Sequence, residues 1–218
     1  MTLSYKELKS RQREERDTYP MNLGLRVHRA LSWLNRAEQC ENDLDAEFIF
    51  LWIAYNAAYA NDIDDHRRFT EQVTFQNFLN RLCDLDKNQK IYNLVWSEFT
   101  SSIRVLLDNK FVFQPFWDFQ NKKIDEDDWH NRFQKAKNSA HRALGNKETG
   151  KVLAIIFSRL YTLRNQLLHG GATWNSGVNR DQMRDAANFL GKLIPIIIEI
   201  MMDNSNVFWG EACYPVVE

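Results

Sequence analysis

Glycine and proline are scarce, 8 and 4 of 218 residues, about half the average share of these two types. So few chain breakers point to a helical protein. Cysteine is sparse as well. Cys40, Cys83 and Cys213 are odd in number, far apart and form no C-x-x-C pair, which excludes a disulfide framework or a zinc ribbon and fits a reduced, cytoplasmic setting. The chain has no large excess of charge. Twenty-eight Lys and Arg against 29 Asp and Glu leave a net charge of -1, so a polyanionic partner must be met by a local patch. Long apolar runs are missing too: the stretch over 193–202 is interrupted by Pro195 and Glu199 and is too short to cross a bilayer. The opening residues, MTLSYKELKSRQREERD, contain no apolar leader, so neither export nor a membrane is expected.

Apolar side chains are nevertheless plentiful. Hydrophobic residues make up 44% and aromatics 13%, which excludes a disordered or linker-like chain and supplies enough material for a core. The length sits at the top of the single-domain range. The expected organisation is a polar arm over 1–20, one helical domain over 21–203, and a tail over 204–218 held in part by Phe208, Trp209 and Tyr214.

Periodicity places the helices. Leu23, Val27, Ala30, Leu31 and Leu34 recur at helical spacing over 22–39, with Arg26, Arg29 and Arg36 assigned to the opposite, basic face. Asp43 opens a second helix through 46–60 that is apolar almost all round, hence central, with Asn56 its one strongly polar interior residue. Amphipathic helices follow over 70–83 and 88–107. The segment 110–123, KFVFQPFWDFQNKK, alternates apolar and polar residues around Pro115 and reads as an irregular aromatic connector. Asp125 starts a helix ending at Gly145-Asn146, and 148–169 is a long amphipathic helix stopped by Gly170-Gly171. A last helix, 180–202, contains Pro195, a kink position. The fold class is all-α, an antiparallel bundle of about six to seven helices.

Two local patterns carry no chemistry. Residues 145–151 match G-x-x-x-x-G-K, but Val152 replaces the hydroxyl residue that binds magnesium, and a helix precedes the loop where a phosphate loop needs a strand, so an interhelical turn is expected. The run Asp62-Ile63-Asp64-Asp65-His66 lacks the glycine and the closing glutamate of a calcium loop and reads as solvated loop. No metal or cofactor is expected, and no G-x-S-x-G elbow marks a serine nucleophile.

The remaining candidate is Arg164-Asn165-Gln166-Leu167-Leu168-His169 at the end of the 148–169 helix. An Arg followed five to seven residues later by His arises by chance about once in a chain of this composition, so placement matters more than pattern. Asn165 and His169 stand four apart and share a face, with Arg164 on its flank. Two readings remain open: cations favoured at a helix C-terminus by its dipole, or a histidine poised for proton transfer beside a cation. Trp52, Tyr55 and Tyr161 read first as core rings, with base stacking as the alternative.

The R-N-x-x-x-H ending, together with the earlier apolar helix F-L-W-I-A-Y-N-A-A-Y, resembles the HEPN superfamily, particularly its Apea-like branch, over about residues 23–202. That resemblance implies an all-α bundle, commonly a homodimer, and in many members a metal-independent ribonuclease of toxin, phage-defence or RNA-processing systems, with an antitoxin protein as a possible partner. Other members only bind RNA, a nucleotide or a protein. It makes Arg164 and His169 the catalytic pair and Asn165 and Asn56 supporting polar groups. Arg159, Arg180, Arg184 and Tyr161 are the candidate RNA contacts near them. Five residues along a helix turn about 500°, so Arg164 and His169 point about 140° apart, and a second copy related by a two-fold axis would supply both groups to one cleft.

Overall fold

The computed structural model describes residues 3–59, 68–177 and 179–214, with the side chains of 68–72 left aside. The acidic run at 62–66 lies outside the described residues. Among those described there are ten α-helices and no strand: α1 Tyr5–Glu15, α2 Met21–Glu38, α3 Leu44–Tyr59, α4 Arg68–Leu85, α5 Lys90–Asn93, α6 Thr100–Asp108, α7 Gln114–Gln120, α8 Glu126–Gly145, α9 Thr149–Leu168 and α10 Arg180–Asp203. The all-α class holds. The helices exceed the expected six to seven for three local reasons.

First, the polar segment before residue 20 is itself a packed helix. Ser4 and Glu7 form a reciprocal capping box at the start of α1, and Leu8 and Gln12 are buried. Second, the helix expected over 88–107 breaks in the middle. Residues Leu94–Glu98 form a single π-turn, closed by the Phe99 N–H donating to the Leu94 carbonyl at 3.1 Å. Thr100 Oγ1 donates to the Trp96 carbonyl at 2.8 Å, giving that carbonyl a local partner before α6 begins. Third, the aromatic connector is mostly helical: a 3₁₀ turn at Lys110–Val112 precedes α7, whose first turn holds Pro115, where a missing N–H costs nothing.

The chain divides into two compact units, residues 1–91 with 186–218, and residues 92–185, so a boundary falls inside the stretch read from sequence as one domain. In the first unit α2 and α3 pack along one another. Asp43 caps α3 as expected, its Oδ1 accepting from the Ala46 N–H at 3.0 Å. Phe48, Leu51, Trp52, Ala54, Tyr55 and Ala58 of α3 are buried, and Tyr55, Tyr59, Phe75, Phe78 and Trp209 form a continuous ring cluster. Trp52 and Tyr55 are therefore core rings.

Arg26 corrects the reading of α2. It does not lie on a solvated basic face: only 1% of it is exposed. Its guanidinium donates to the carbonyls of Ala58 at 2.9 Å, Glu211 at 2.6 Å and Gly210 at 3.3 Å, while Arg29 donates to those of Cys213 and Tyr214. Two arginines thus fasten residues 210–214, and the indole of Trp209 is buried beneath. Backbone carbonyls, which carry no net charge, satisfy a cation that periodicity alone sends to the surface.

In the second unit α8 and α9 pack together, joined by the turn at 145–148. The Glu148 N–H donates to the Ala143 carbonyl and the Val152 N–H to that of Glu148. This is the helix-to-helix turn expected of the G-x-x-x-x-G-K match, with N–H groups already engaged within the chain.

Candidate functional site

The chemistry-bearing residues gather at the end of α9. Val152, Leu153, Ile156, Phe157, Leu160 and Leu163 bury one stripe of this helix. The helix stops at His169, whose N–H donates to the Asn165 carbonyl at 3.0 Å. Gly170 follows in the left-handed conformation, with φ of 70°, and its N–H donates to the Leu167 carbonyl, so the glycine terminates the helix as its position suggests.

His169 is exposed. Arg164 is half-buried: its Nη1 donates to Asn165 Oδ1 at 2.9 Å, its guanidinium lies 5.8 Å from the centre of the Tyr161 ring, and its Nε has no partner. Among the described residues no carboxylate pairs with Arg164 or His169. Arg164 and His169 lie at one helix end without a hydrogen bond between them among the described residues.

Tyr161 departs from the core reading, being 51% exposed, and Leu168 is exposed one turn beyond Arg164. Trp174, in the loop after the double glycine, is 75% exposed. That loop is tied to α9 at Gln166, whose carbonyl accepts from the Ala172 N–H at 3.1 Å and whose Oε1 accepts from Asn179 Nδ2 at 3.1 Å, while its Nε2 donates to the Phe111 carbonyl of the 3₁₀ turn at 2.7 Å. Sequence reasoning passed over Gln166, Phe111 and Trp174. An indole set among Gly, Thr, Asn and Ser residues was the available signal, because such a loop has no apolar partner of its own to cover it.

The supporting residues fare differently. Asn56 is half-buried on α3 in the first unit rather than interior, and its side chain makes no hydrogen bond among the described residues. Arg180 donates through Nε to the Ser176 carbonyl at 3.0 Å and through Nη2 to Asn175 Oδ1 at 3.2 Å, bracing the loop. Arg184 is exposed but pairs with Asp181 at 3.0 Å. Arg159 is a correction: only 2% is exposed, with its guanidinium 4.3 Å from the Phe113 ring centre, so it cannot meet an RNA strand at the surface. The helix face of Arg159 belongs to the interior because Leu160, Ile156 and Leu163 around it do.

A cavity of about 330 Å³ in the first unit is lined by Arg11, Asp86, Lys90, Glu199 and Asp203, among others. Two of its three cations face carboxylates, Arg11 on Asp203 and Lys90 on Glu199, both at 2.6 Å, and Asp86 offsets the third, Lys87, so it presents balanced charge. Among the described residues no group of three His, Cys, Asp or Glu side chains is placed to hold a metal ion, and no helix is long and apolar enough to cross a membrane. Comparison of the chain with protein-family models, curated proteins and solved structures finds no match.

Proposed function

We propose that the protein is a HEPN-type endoribonuclease that cuts RNA without a metal ion, by attack of a 2′-hydroxyl on the adjacent phosphorus to leave a 2′,3′-cyclic phosphate. The observation that carries this reading is the exposed His169, five residues from a half-buried Arg164 that no carboxylate neutralises among the described residues. The reaction needs one group to take the 2′-hydroxyl proton, one to protonate the leaving 5′-oxygen, and positive charge at the crowded phosphate. His169 does proton work and Arg164 stabilises charge. Asn165, bonded to Arg164, sets the direction of the guanidinium, and the exposed rings of Tyr161 and Trp174 offer faces on which a base can stack.

One copy supplies one histidine, whereas the two proton transfers call for two groups. A homodimer that brings two α9 ends together supplies both, and a toxin role with a cognate antitoxin protein is consistent with such a site.

The test uses purified protein, mixed RNA and EDTA. Wild type should cleave, and Arg164→Ala or His169→Ala should each reduce the rate by about 10²-fold or more; the exposed His169→Ala should leave the melting temperature within about 2 °C, since exposed sites contribute little to stability. An inert wild type that binds RNA equally well with or without these substitutions would instead make the chain a non-catalytic member. In cells the wild type should arrest growth, and His169→Ala should relieve the arrest.

A further inference from the structure

The chain buries two arginines almost completely, Arg26 and Arg159, and treats them differently. Arg26 spends its donors on three backbone carbonyls. Arg159 makes no hydrogen bond and no ion pair among the described residues, and its Nε is wholly buried without an acceptor. The nearest support is aromatic: the guanidinium carbon lies 4.3 Å from the centre of the Phe113 ring and 5.9 Å from that of Phe133. Burial pulls its pKa down to about 10, which still leaves it charged at neutral pH.

A buried charge is tolerated when it is paired and hydrogen-bonded, and ring faces replace only a fraction of the lost hydration. The neighbouring charges do not fill the gap. Lys137, 5.8 Å from the Phe133 ring, is a second cation, and the one carboxylate it brings, Asp108, is bonded to Lys137 itself at 2.9 Å. A second orphan points the same way: Trp129 Nε1, on a ring 6.1 Å from Phe133, is also a buried donor without an acceptor. Two unmet side-chain donors beside one phenylalanine, with no unmet buried side-chain acceptor beside it among the described residues, describe a place short of oxygen atoms.

We propose that Arg159 is the anchor of an anion site in the second unit, taking a small oxyanion, a carboxylate or phosphate group, whose paired oxygens accept from the guanidinium. Both sources share that geometry, and the planar fork of arginine matches either. A polynucleotide backbone does not fit the burial of this side chain, so the ligand is a small molecule or a free ion. The site is separate from the proposed ribonuclease centre: Arg164 lies five residues further along α9, about 140° round the helix. It stands or falls independently of that reading.

The test measures thermal unfolding of the full chain in sodium phosphate or sodium acetate up to 20 mM, against sodium chloride at matched ionic strength. Binding by the folded state alone raises the wild-type melting temperature by about 5–10 °C at a hundredfold excess over Kd. The arm that responds identifies the oxyanion. Arg159→Met should melt no lower than wild type in chloride, since an apolar side chain of similar length replaces an uncompensated charge, and should lose the anion-dependent rise; Arg159→Lys should keep part of it. Equal rises in wild type and Arg159→Met, or none in either anion, would overturn the proposal. Should Arg159→Met not fold, equilibrium dialysis of wild type with radiolabelled phosphate and acetate decides. About one anion per chain, not displaced by equimolar chloride, supports the site, and less than 0.1 per chain overturns it.

Discussion

Replacing Arg26 by methionine removes one of the two arginines of α2 that hold the C-terminal segment. Three carbonyls, those of Ala58, Gly210 and Glu211, lose their partner at once. Charge-assisted bonds of this kind contribute roughly 1.5–3 kcal/mol each. The removed guanidinium also takes away its own burial penalty, which acts to pull its pKa below the ordinary arginine value. The net loss should therefore resemble that of breaking a buried polar network, about 3–5 kcal/mol, or about 6–20 °C in melting temperature for a chain of this size. The Ala58 carbonyl sits in the buried part of the contact, whereas the other two can turn to water if residues 205–214 lift away, so the loss is limited by the cost of releasing that segment. Urea denaturation followed by circular dichroism measures the total, and hydrogen exchange on a peptide covering 205–214 measures the release. Arg29→Met, which loses two bonds at a half-buried position, should cost less. An Arg26→Met protein with an unchanged urea midpoint and unchanged exchange at 205–214 would refute the reasoning, as would a larger loss from Arg29→Met.

Further outcomes follow from other local features. Gly170→Ala places a Cβ in open space but in a left-handed backbone, so it should cost about 1 kcal/mol and lower the melting temperature by about 2–4 °C. Gly171→Ala is different: its Cβ would lie 3.2 Å from the Gln166 carbonyl, so it should also speed exchange in the loop at 171–177, and identical behaviour of the two variants would contradict this. The Glu7 carboxylate is held below its ordinary range by bonds from the Ser4 backbone and hydroxyl, and Glu15 by Arg11 and then Tyr19. Depressed folded values mean that their stabilisation is present above about pH 4.5 and lost as the pH falls through those values. Exchange protection of α1 should accordingly fall on acidification below pH 4.5 ahead of that of α3, and constant protection of α1 to pH 3 would contradict this. Burial, with Asp86 and Asp84 adding to it, pushes the Cys83 thiol up to about 12, so iodoacetamide at pH 8 should label it on the order of 100-fold more slowly than a free thiol; labelling at the free rate would contradict the burial.

Much of the fold was legible because it rests on spacing and caps. The boundaries of α2, α3, α8, α9 and α10 fall within about two residues of those read from apolar periodicity, Asp43, Asp125 and the Gly145 and Gly170 stops. What periodicity missed has a common cause: it registers where side chains point, not what backbone groups need. The π-turn at Leu94–Glu98 depends on Thr100 meeting the Trp96 carbonyl, a local bond with no apolar signature. Arg26 and Arg159 sit in the interior for opposite reasons, one saturated by carbonyls and one resting on rings, and both looked like surface cations in the sequence. At the candidate site the placement of Arg164, Asn165 and His169 on the last turn of α9 was readable from i,i+4 spacing and the double glycine. The exposure of Tyr161 was not, since an aromatic ring at helical spacing does not reveal what covers it.

The central claim, that the end of α9 cuts RNA through its own 2′-hydroxyl, is tested most directly by the ends of the products. RNA incubated with wild-type protein in EDTA should yield fragments ending in a 2′,3′-cyclic phosphate with free 5′-hydroxyls on their neighbours, while DNA of the same sequence stays intact and His169→Ala releases neither product. Fragments with 5′-phosphate ends, cleavage of the DNA, or undiminished cutting by His169→Ala would contradict the account.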